Sequence, residues 1–344
     1  MTIDLRSDTV TRPTAAMRRA MADAEVGDDV LDGDPTVTRL QDRVRELLGK
    51  ERALYFPTGT MANQAALWLL GTRGTEFLAD ADAPVIHWEV AAAAGIVGMQ
   101  PRPVKGTGTV MDAAALAAAI RPDSPHAPRA SLVCMENTHN GAGGKVTPVD
   151  ELRAIAGVAR ERKLPVHMDG ARLWNASIAS GTSLADFAAC ADTVMVSFSK
   201  GLGAPVGAML AGSAAALERG WEVRKRMGGG MRQSGILAAG ALHGLDHHLE
   251  RLAEDHEHAR LLASLVDGAG GASVVPPDTN IVMIDLPAGL DSPTVVAAMA
   301  DIGVRITPWS PTRLRAVTHM DVGRSAIQAA GEALASWLEK ARPA

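Results

Sequence analysis

The 344-residue chain is 47% hydrophobic and 21% charged, a balance that supports a sizeable buried core, excludes a disordered chain and allows about two domains. A net charge of −5 and only 3% aromatic residues argue against DNA, an anionic membrane or single-stranded nucleic acid as partners. Two cysteines, Cys134 and Cys190, are too few for a disulfide framework or a cysteine-rich metal site. The amino end is charged within four residues and lacks the apolar centre of a signal peptide. No stretch approaches the ~18 apolar residues of a membrane helix, so a cytoplasmic protein is expected. Asp34-Pro35 opens a helix, with Asp34 as its cap and Pro35 in its first turn. Leu40, Val44, Leu47 and Leu48 share one face, and Gly49 can end it. A strand over 53–56 leads through Pro57-Thr58-Gly59-Thr60 into a helical run over 61–70. A helix over 149–163 leads into a buried strand over 164–168 that ends at Asp169, and a second buried run over 193–198 ends at Ser199-Lys200. Such apolar runs between helices predict parallel strands covered on both faces, hence an α/β fold. Residues 236–266 read as one long bridging helix, followed by a turn rich in glycine (Gly268, Gly270, Gly271) and a smaller α+β segment. The expected domains are residues 1–245 and 246–344.

Two charged groups stand at the ends of buried strands, where open α/β sheets collect ligands. Desolvation there would lower the pKa of Lys200 and free its amine for a Schiff base. Asp169 could hold the pyridine nitrogen of pyridoxal 5′-phosphate (PLP) protonated. Either residue alone is often structural; together, one helix apart, they suit a PLP site. The Pro57–Thr60 turn, between a strand and a helix, offers free N–H groups and a positive helix end to a phosphate, with Gly59 allowing close approach and Thr60 adding a hydroxyl. An ordinary capped turn explains it about as well. Gly228-Gly229-Gly230-Met231-Arg232-Gln233 is a second phosphate candidate, or a flexible connector. Arg172 and Arg315 suit a substrate carboxylate, with surface salt bridges as the alternative. His243 and His247 share a helical face, but no His-Glu-x-x-His pattern accompanies them, and no metal site is expected. Cys134 lies in an apolar run, where a buried structural thiol is the better reading.

Several segments resemble the low-specificity L-threonine aldolase family. They include Asp4-Leu5-Arg6-Ser7-Asp8-Thr9-Val10-Thr11-Arg12-Pro13, Gly27-Asp28-Asp29, Pro57-Thr58-Gly59-Thr60-Met61-Ala62-Asn63, Glu136-Asn137-Thr138-His139-Asn140, His167-Met168-Asp169-Gly170-Ala171-Arg172, Ser199-Lys200-Gly201-Leu202-Gly203 and the stretch from Arg315 to Asp321. The matches run in order over nearly the whole chain. The resemblance implies a fold-type I PLP enzyme, with an aspartate aminotransferase-like large domain, a smaller carboxyl-terminal domain, and an amino-terminal segment, 1–15, contributing to the site. It implies cleavage of L-threonine or L-allo-threonine to glycine and acetaldehyde, by a homotetramer of dimers with shared sites. By position, Lys200 resembles the Schiff-base lysine and Asp169 the partner of the pyridine nitrogen. Gly59 and Thr60 resemble phosphate ligands, Arg232 one donated by the neighbouring subunit, and Lys225 a helper from the same side. Ser7, Arg172 and Arg315 resemble the binders of the substrate carboxylate, and His126 a histidine near the substrate hydroxyl.

Two departures fall beside the pocket. If Glu89 aligns with the family's glutamate, Pro84 stands where the family has a histidine over the ring, with His87 and Trp88 as nearby substitutes. Leu31 stands where the family has an active-site tyrosine. The expected reaction is therefore aldol cleavage of threonine or a related β-hydroxy-α-amino acid. The alternatives are PLP lyase or transaldol chemistry on a bulkier β-substituted amino acid, or a non-catalytic relative, against which the joint presence of Lys200, Asp169, Arg172 and Arg315 argues.

Overall fold

The computed structural model describes residues 2–341, so Met1 and the last three residues of the expected second domain lie outside it. A two-residue strand, β1 (Ile3–Asp4), comes first. The central sheet has seven strands: β2 (Arg52–Phe56), β3 (Glu76–Asp80), β4 (Gln100–Val104), β5 (Ala130–Glu136), β6 (Val166–Gly170), β7 (Thr193–Ser197) and β8 (Ala208–Gly212). Their order is β2-β8-β7-β6-β5-β3-β4. Every pairing from β7 to β4 is parallel, while β8 runs antiparallel between β2 and β7. β6 and β7 are buried along their whole length, as strands covered by helices on both faces must be. Asp169 is the last residue but one of β6, and Lys200 lies three residues past β7.

The local signals explain the helices that frame the site. Asp34 accepts hydrogen bonds from the Thr36 and Val37 N–H groups at 3.0 Å and starts the Pro35–Leu47 helix. Thr58 accepts from the Met61 N–H at 3.1 Å, so the next helix spans Gly59–Leu70 and begins earlier than the apolar run. Two expected helices are altered. The one expected to reach 163 ends at Glu161, because Lys163 adopts a left-handed φ of 56° and the Leu164 N–H returns to the Ala159 carbonyl. The long helix over 236–266 is two helices, Gly235–His247 and Leu252–Val266. His248 Nδ1 bonds the Leu202 carbonyl at 2.8 Å at the break. The second helix then packs Ala259, Leu262 and Val266 into a separate core.

That core belongs to the carboxyl-terminal unit of β9 (Ser273–Val275), β10 (Ile281–Asp285), β11 (Val304–Arg305), β12 (Thr307–Ser310) and β13 (Arg313–Val317). β12, β13, β10 and β9 form an antiparallel sheet in that order, and β11 pairs in parallel with β1. Leu5 accordingly packs with Val282, Ile306 and Leu314, so the amino terminus reaches across to this unit. Among the described residues no helix is long and apolar enough to cross a membrane.

Candidate active site

A cleft of about 410 Å³ opens past the carboxyl ends of β5, β6 and β7. It draws Ser7, Gly59, Thr60, Asp169, Arg172, Lys200 and Arg315 from distant parts of the chain into one wall. Lys200 follows β7 because Gly203, at φ 75°, closes a tight turn with its N–H on the Lys200 carbonyl. Burial, then the charge of Arg172, pushes the Lys200 amine down to about 8. Asp169 accepts from the Ala171 N–H at 3.0 Å and from Asn63 Nδ2 at 2.9 Å. Asn63 is held in turn by His167, whose Nε2 is 3.0 Å from its carbonyl oxygen. Burial keeps the His167 ring neutral, with a pKa near 4. Thr58 takes the Met61 N–H, which leaves the first N–H groups of the helix, those of Gly59 and Thr60, without an intrahelical acceptor.

The arginines divide their work. Arg172 Nε and Nη2 donate to the two carboxylate oxygens of Asp8 at 2.8 and 2.7 Å, and both side chains are buried. Burial opposes charge on Asp8, yet Arg172 in contact, with Lys200 and Arg315 beyond, holds its carboxyl below the usual range. Asn140 joins the two arginines: its carbonyl oxygen accepts from Arg172 Nη1 at 3.2 Å and from Arg315 Nη2 at 3.1 Å. Arg315 lies 5.2 Å from the Trp309 ring, and its buried Nε–H has no hydrogen-bond partner. Of the two, Arg315 is the one with donors left for a ligand. The expectation for Arg172 as a direct carboxylate ligand is therefore narrowed, since most of its fork is committed to Asp8.

Two glutamates complete the walls. Glu89 accepts from Asn63 at 2.8 Å and from Gln64 at 2.6 Å, and burial raises its pKa to about 7. Glu136, at the end of β5, is also raised to about 7 by burial. Sequence reasoning placed Asp8, Asn63, Glu89, Glu136 and Asn140 in matching segments but gave them no role. Asp8, Asn63 and Glu89 find their partners in distant segments, so no local spacing could have assigned them a role, and Glu136 meets its local partners Asn140 and His139 only inside the folded cleft.

Other expectations fall outside this chain's cleft. His126 is exposed in the loop before β5, at the amino end of the sheet, so within one chain it cannot reach the cleft. Arg232 is exposed and pairs with Asp28 at 3.2 Å, and Lys225 is exposed beside Gly230. Leu31 is 73% exposed and does not line the cleft. Pro84 does line it, as expected for the position next to the ring. Of its two possible substitutes, His87 is turned to the Ala81 carbonyl at 2.6 Å, whereas Trp88 lines the cleft. Cys134 is buried and its thiol is raised by burial, which makes it a poor nucleophile. The His243 and His247 rings lie 4.4 Å apart, tilted by 48°, but among the described residues no three His, Cys, Asp or Glu side chains converge to hold a metal.

The beta-eliminating lyase family model matches residues 4–288. The low specificity L-threonine aldolase of Escherichia coli (strain K12) is 41% identical over 338 residues, which covers 97% of this chain and 98% of that protein. Low-specificity L-threonine aldolase 1 of Arabidopsis thaliana is 40% identical over 334 residues, 94% of this chain and 93% of that one. The solved structure of a threonine aldolase from Leishmania major superposes with a TM-score of 0.83 at 19% identity, over 98% of this chain and 99% of that chain.

Proposed function

The chain belongs to the low-specificity L-threonine aldolase family of the beta-eliminating lyases, and we propose that it is a PLP-dependent lyase that cleaves L-threonine, L-allo-threonine or related β-hydroxy-α-amino acids to glycine and an aldehyde. The observation that carries this reading is the convergence of a buried amine, a strand-end carboxylate and a helix amino terminus on one cleft. That donor set fits PLP: an amine with its pKa near 8, an acceptor for a pyridinium, and free N–H groups for a phosphate. Lys200 would hold its aldehyde, Asp169 its pyridine nitrogen, and Gly59 and Thr60 its phosphate. When bound, PLP supplies the electron sink that lets the Cα–Cβ bond break.

The chain's own groups orient the substrate. Arg315, which lines the cleft, would take the amino-acid carboxylate, and Ser7 would flank it. Arg172, braced by Asp8, would act through Asn140 to fix the angle of Arg315. The test is an aldehyde-release assay over a panel of β-hydroxy amino acids, with glycine quantified alongside. A protein that binds PLP but releases neither product would sink the reading.

A second reading favours a bulkier β-substituent. Pro84 and Trp88 make that wall of the cleft apolar, and Trp88 also borders an adjoining pocket of about 620 Å³ with Trp309, His87 and the Arg313–Asp285 pair. Comparing kcat/KM for threonine, allo-threonine and phenylserine decides between the two. We further assign Arg232, Lys225 and His126 to the cleft of a neighbouring subunit, in a homotetramer built from dimers, because each is exposed and outside its own cleft. Light scattering that finds a fully active monomer would rule this out. The cytoplasm is the compartment this reading implies.

A further inference from the structure

Aldol cleavage, on which this inference rests, needs a group to accept the proton of the β-hydroxyl. Within one chain the histidines do not qualify: His126 is outside the cleft and His87 is turned away. Glu136 is differently placed. It ends β5 as the register partner of Asp169 on β6, and its side chain lines the cleft. Its Oε2 is buried without a hydrogen-bond partner, 3.4 Å from His139 Nε2. Its Oε1 accepts a single hydrogen bond, from the Asn140 N–H at 2.9 Å.

Behind it stand two more groups. The Ala142 N–H donates to His139 Nδ1 at 3.1 Å, so the hydrogen-bond pattern assigns the ring proton to Nε2. That nitrogen faces Asp80 Oδ1 at 3.1 Å. Asp80 is anchored by the N–H groups of Asp82 and Met111. Asp80, His139 and Glu136 all border a narrow cavity of about 20 Å³ behind the cleft, roughly the room one water needs. A purely structural carboxylate would resemble Glu89, whose two oxygens are both taken by side-chain amides. Glu136 instead keeps one oxygen against a histidine that is itself buried between carboxylates.

We infer that Glu136, positioned by His139 and Asp80, is the group that accepts the β-hydroxyl proton of the substrate. The carboxylate takes the proton as the O–H pair becomes the second carbon–oxygen bond of the aldehyde. The Cα–Cβ pair stays with Cα, which gains a proton from solvent to give glycine while Glu136 releases its own to solvent, so atoms and charge balance. The groups facing Glu136 suit the task. Burial raises its pKa to about 7 with Asp169 adding to it, while His139 and Lys200 pull it down, and Arg172 and Arg315 lie within its field. A base poised near the working pH combines ionisation with proton affinity.

The test is Glu136→Gln, which keeps the shape and removes the base. Cleavage should fall by about 10²–10⁴-fold, the usual contribution of a general base. Two further measurements should not move. One is PLP affinity, titrated into the cofactor-free protein by absorbance. The other is exchange of the glycine α-proton in D₂O, which uses the same site but no hydroxyl. Wild-type cleavage by Glu136→Gln, or parallel loss of exchange, would overturn the inference. Wild-type protein that exchanges glycine but releases no aldehyde would instead sink the aldolase reading. Should Glu136→Gln fail to load PLP, Asp80→Asn decides. Losing that charge weakens the His139 cation that holds Glu136 down, so the rising limb of the cleavage pH profile should move to higher pH, with PLP affinity unchanged; a limb that stays put overturns the inference.

Discussion

The two ends of the central sheet differ in how completely their charges are paired. At the amino end, Glu76 is buried but takes Arg102 at 3.3 Å and Arg121 at 2.8 Å, Asp192 accepts from the Val166 N–H, and Lys50 donates to the Ala191 carbonyl. Every one of these ionisable side chains has a partner. At the carboxyl end, Arg315 Nε is buried without a hydrogen-bond partner, Glu136 Oε2 and His139 Nε2 meet at 3.4 Å without forming a hydrogen bond, and the Lys200 amine is pushed towards neutrality. Leaving a buried polar atom unpaired costs about 1–3 kcal/mol, so such atoms persist where a ligand is meant to complete them. The comparison teaches that the position of a charge on the sheet matters less than whether its hydrogen-bonding capacity is filled.

The largest break in this contrast would come from Lys200→Ala. The variant should lose the visible absorption band of bound PLP and essentially all turnover. Its circular dichroism should match that of the wild type, because the amine has no structural partner to lose. Retained activity would dismiss the site.

Next in size is the cost of removing one member of a buried pair at each end. Asp8→Asn strands the buried Arg172 charge and should cost about 3–5 kcal/mol in denaturant unfolding. Glu76→Gln should cost nearer 1 kcal/mol, because Arg102 and Arg121 are 25% and 40% exposed and can turn to water. Equal costs would erase the distinction.

A smaller effect sharpens it through pH. The Glu136 carboxyl moves from 4.5 to about 7 on folding. Between those values the folded state binds more protons than the unfolded one, so this group's stability contribution is present below 4.5 and is lost as pH rises through 7. Unfolding free energies of the cofactor-free protein should therefore fall with pH across that window, by at most about 1.4 kcal/mol per pH unit for this group. Glu136→Gln should flatten the slope.

The smallest effect concerns strain at the same end. After Glu89, Val90 and Ala91 hold left-handed φ values of 52° and 57°, and Val90 is 92% exposed. Such backbone costs roughly 1–2 kcal/mol in a residue with a Cβ. Val90→Gly should thus raise stability by about 1 kcal/mol in thermal unfolding. A loss would mean that the Val90 side chain is held by contacts outside this chain.

Local physics was legible without a structure. The cap at Asp34, the turn before Gly59-Thr60, and the charged residues closing two apolar runs each depend on neighbours a few positions away, and each lies where the pattern put it. The break at His248 was not legible, because it depends on the carbonyl of Leu202 from another part of the chain. The pairing of Asp8 with Arg172 spans 164 residues, and that of Arg315 with Asn140 spans 175. The Asp80–His139–Glu136 set exists because β3 lies beside β5, and Glu136 meets Asp169 because β5 lies beside β6. So the sequence by itself determined the elements and the residue types that close them, through capping, periodicity and burial. Only the tertiary structure decided which charges are satisfied and which wait for a ligand, because strand order brings together side chains that no sequence spacing connects.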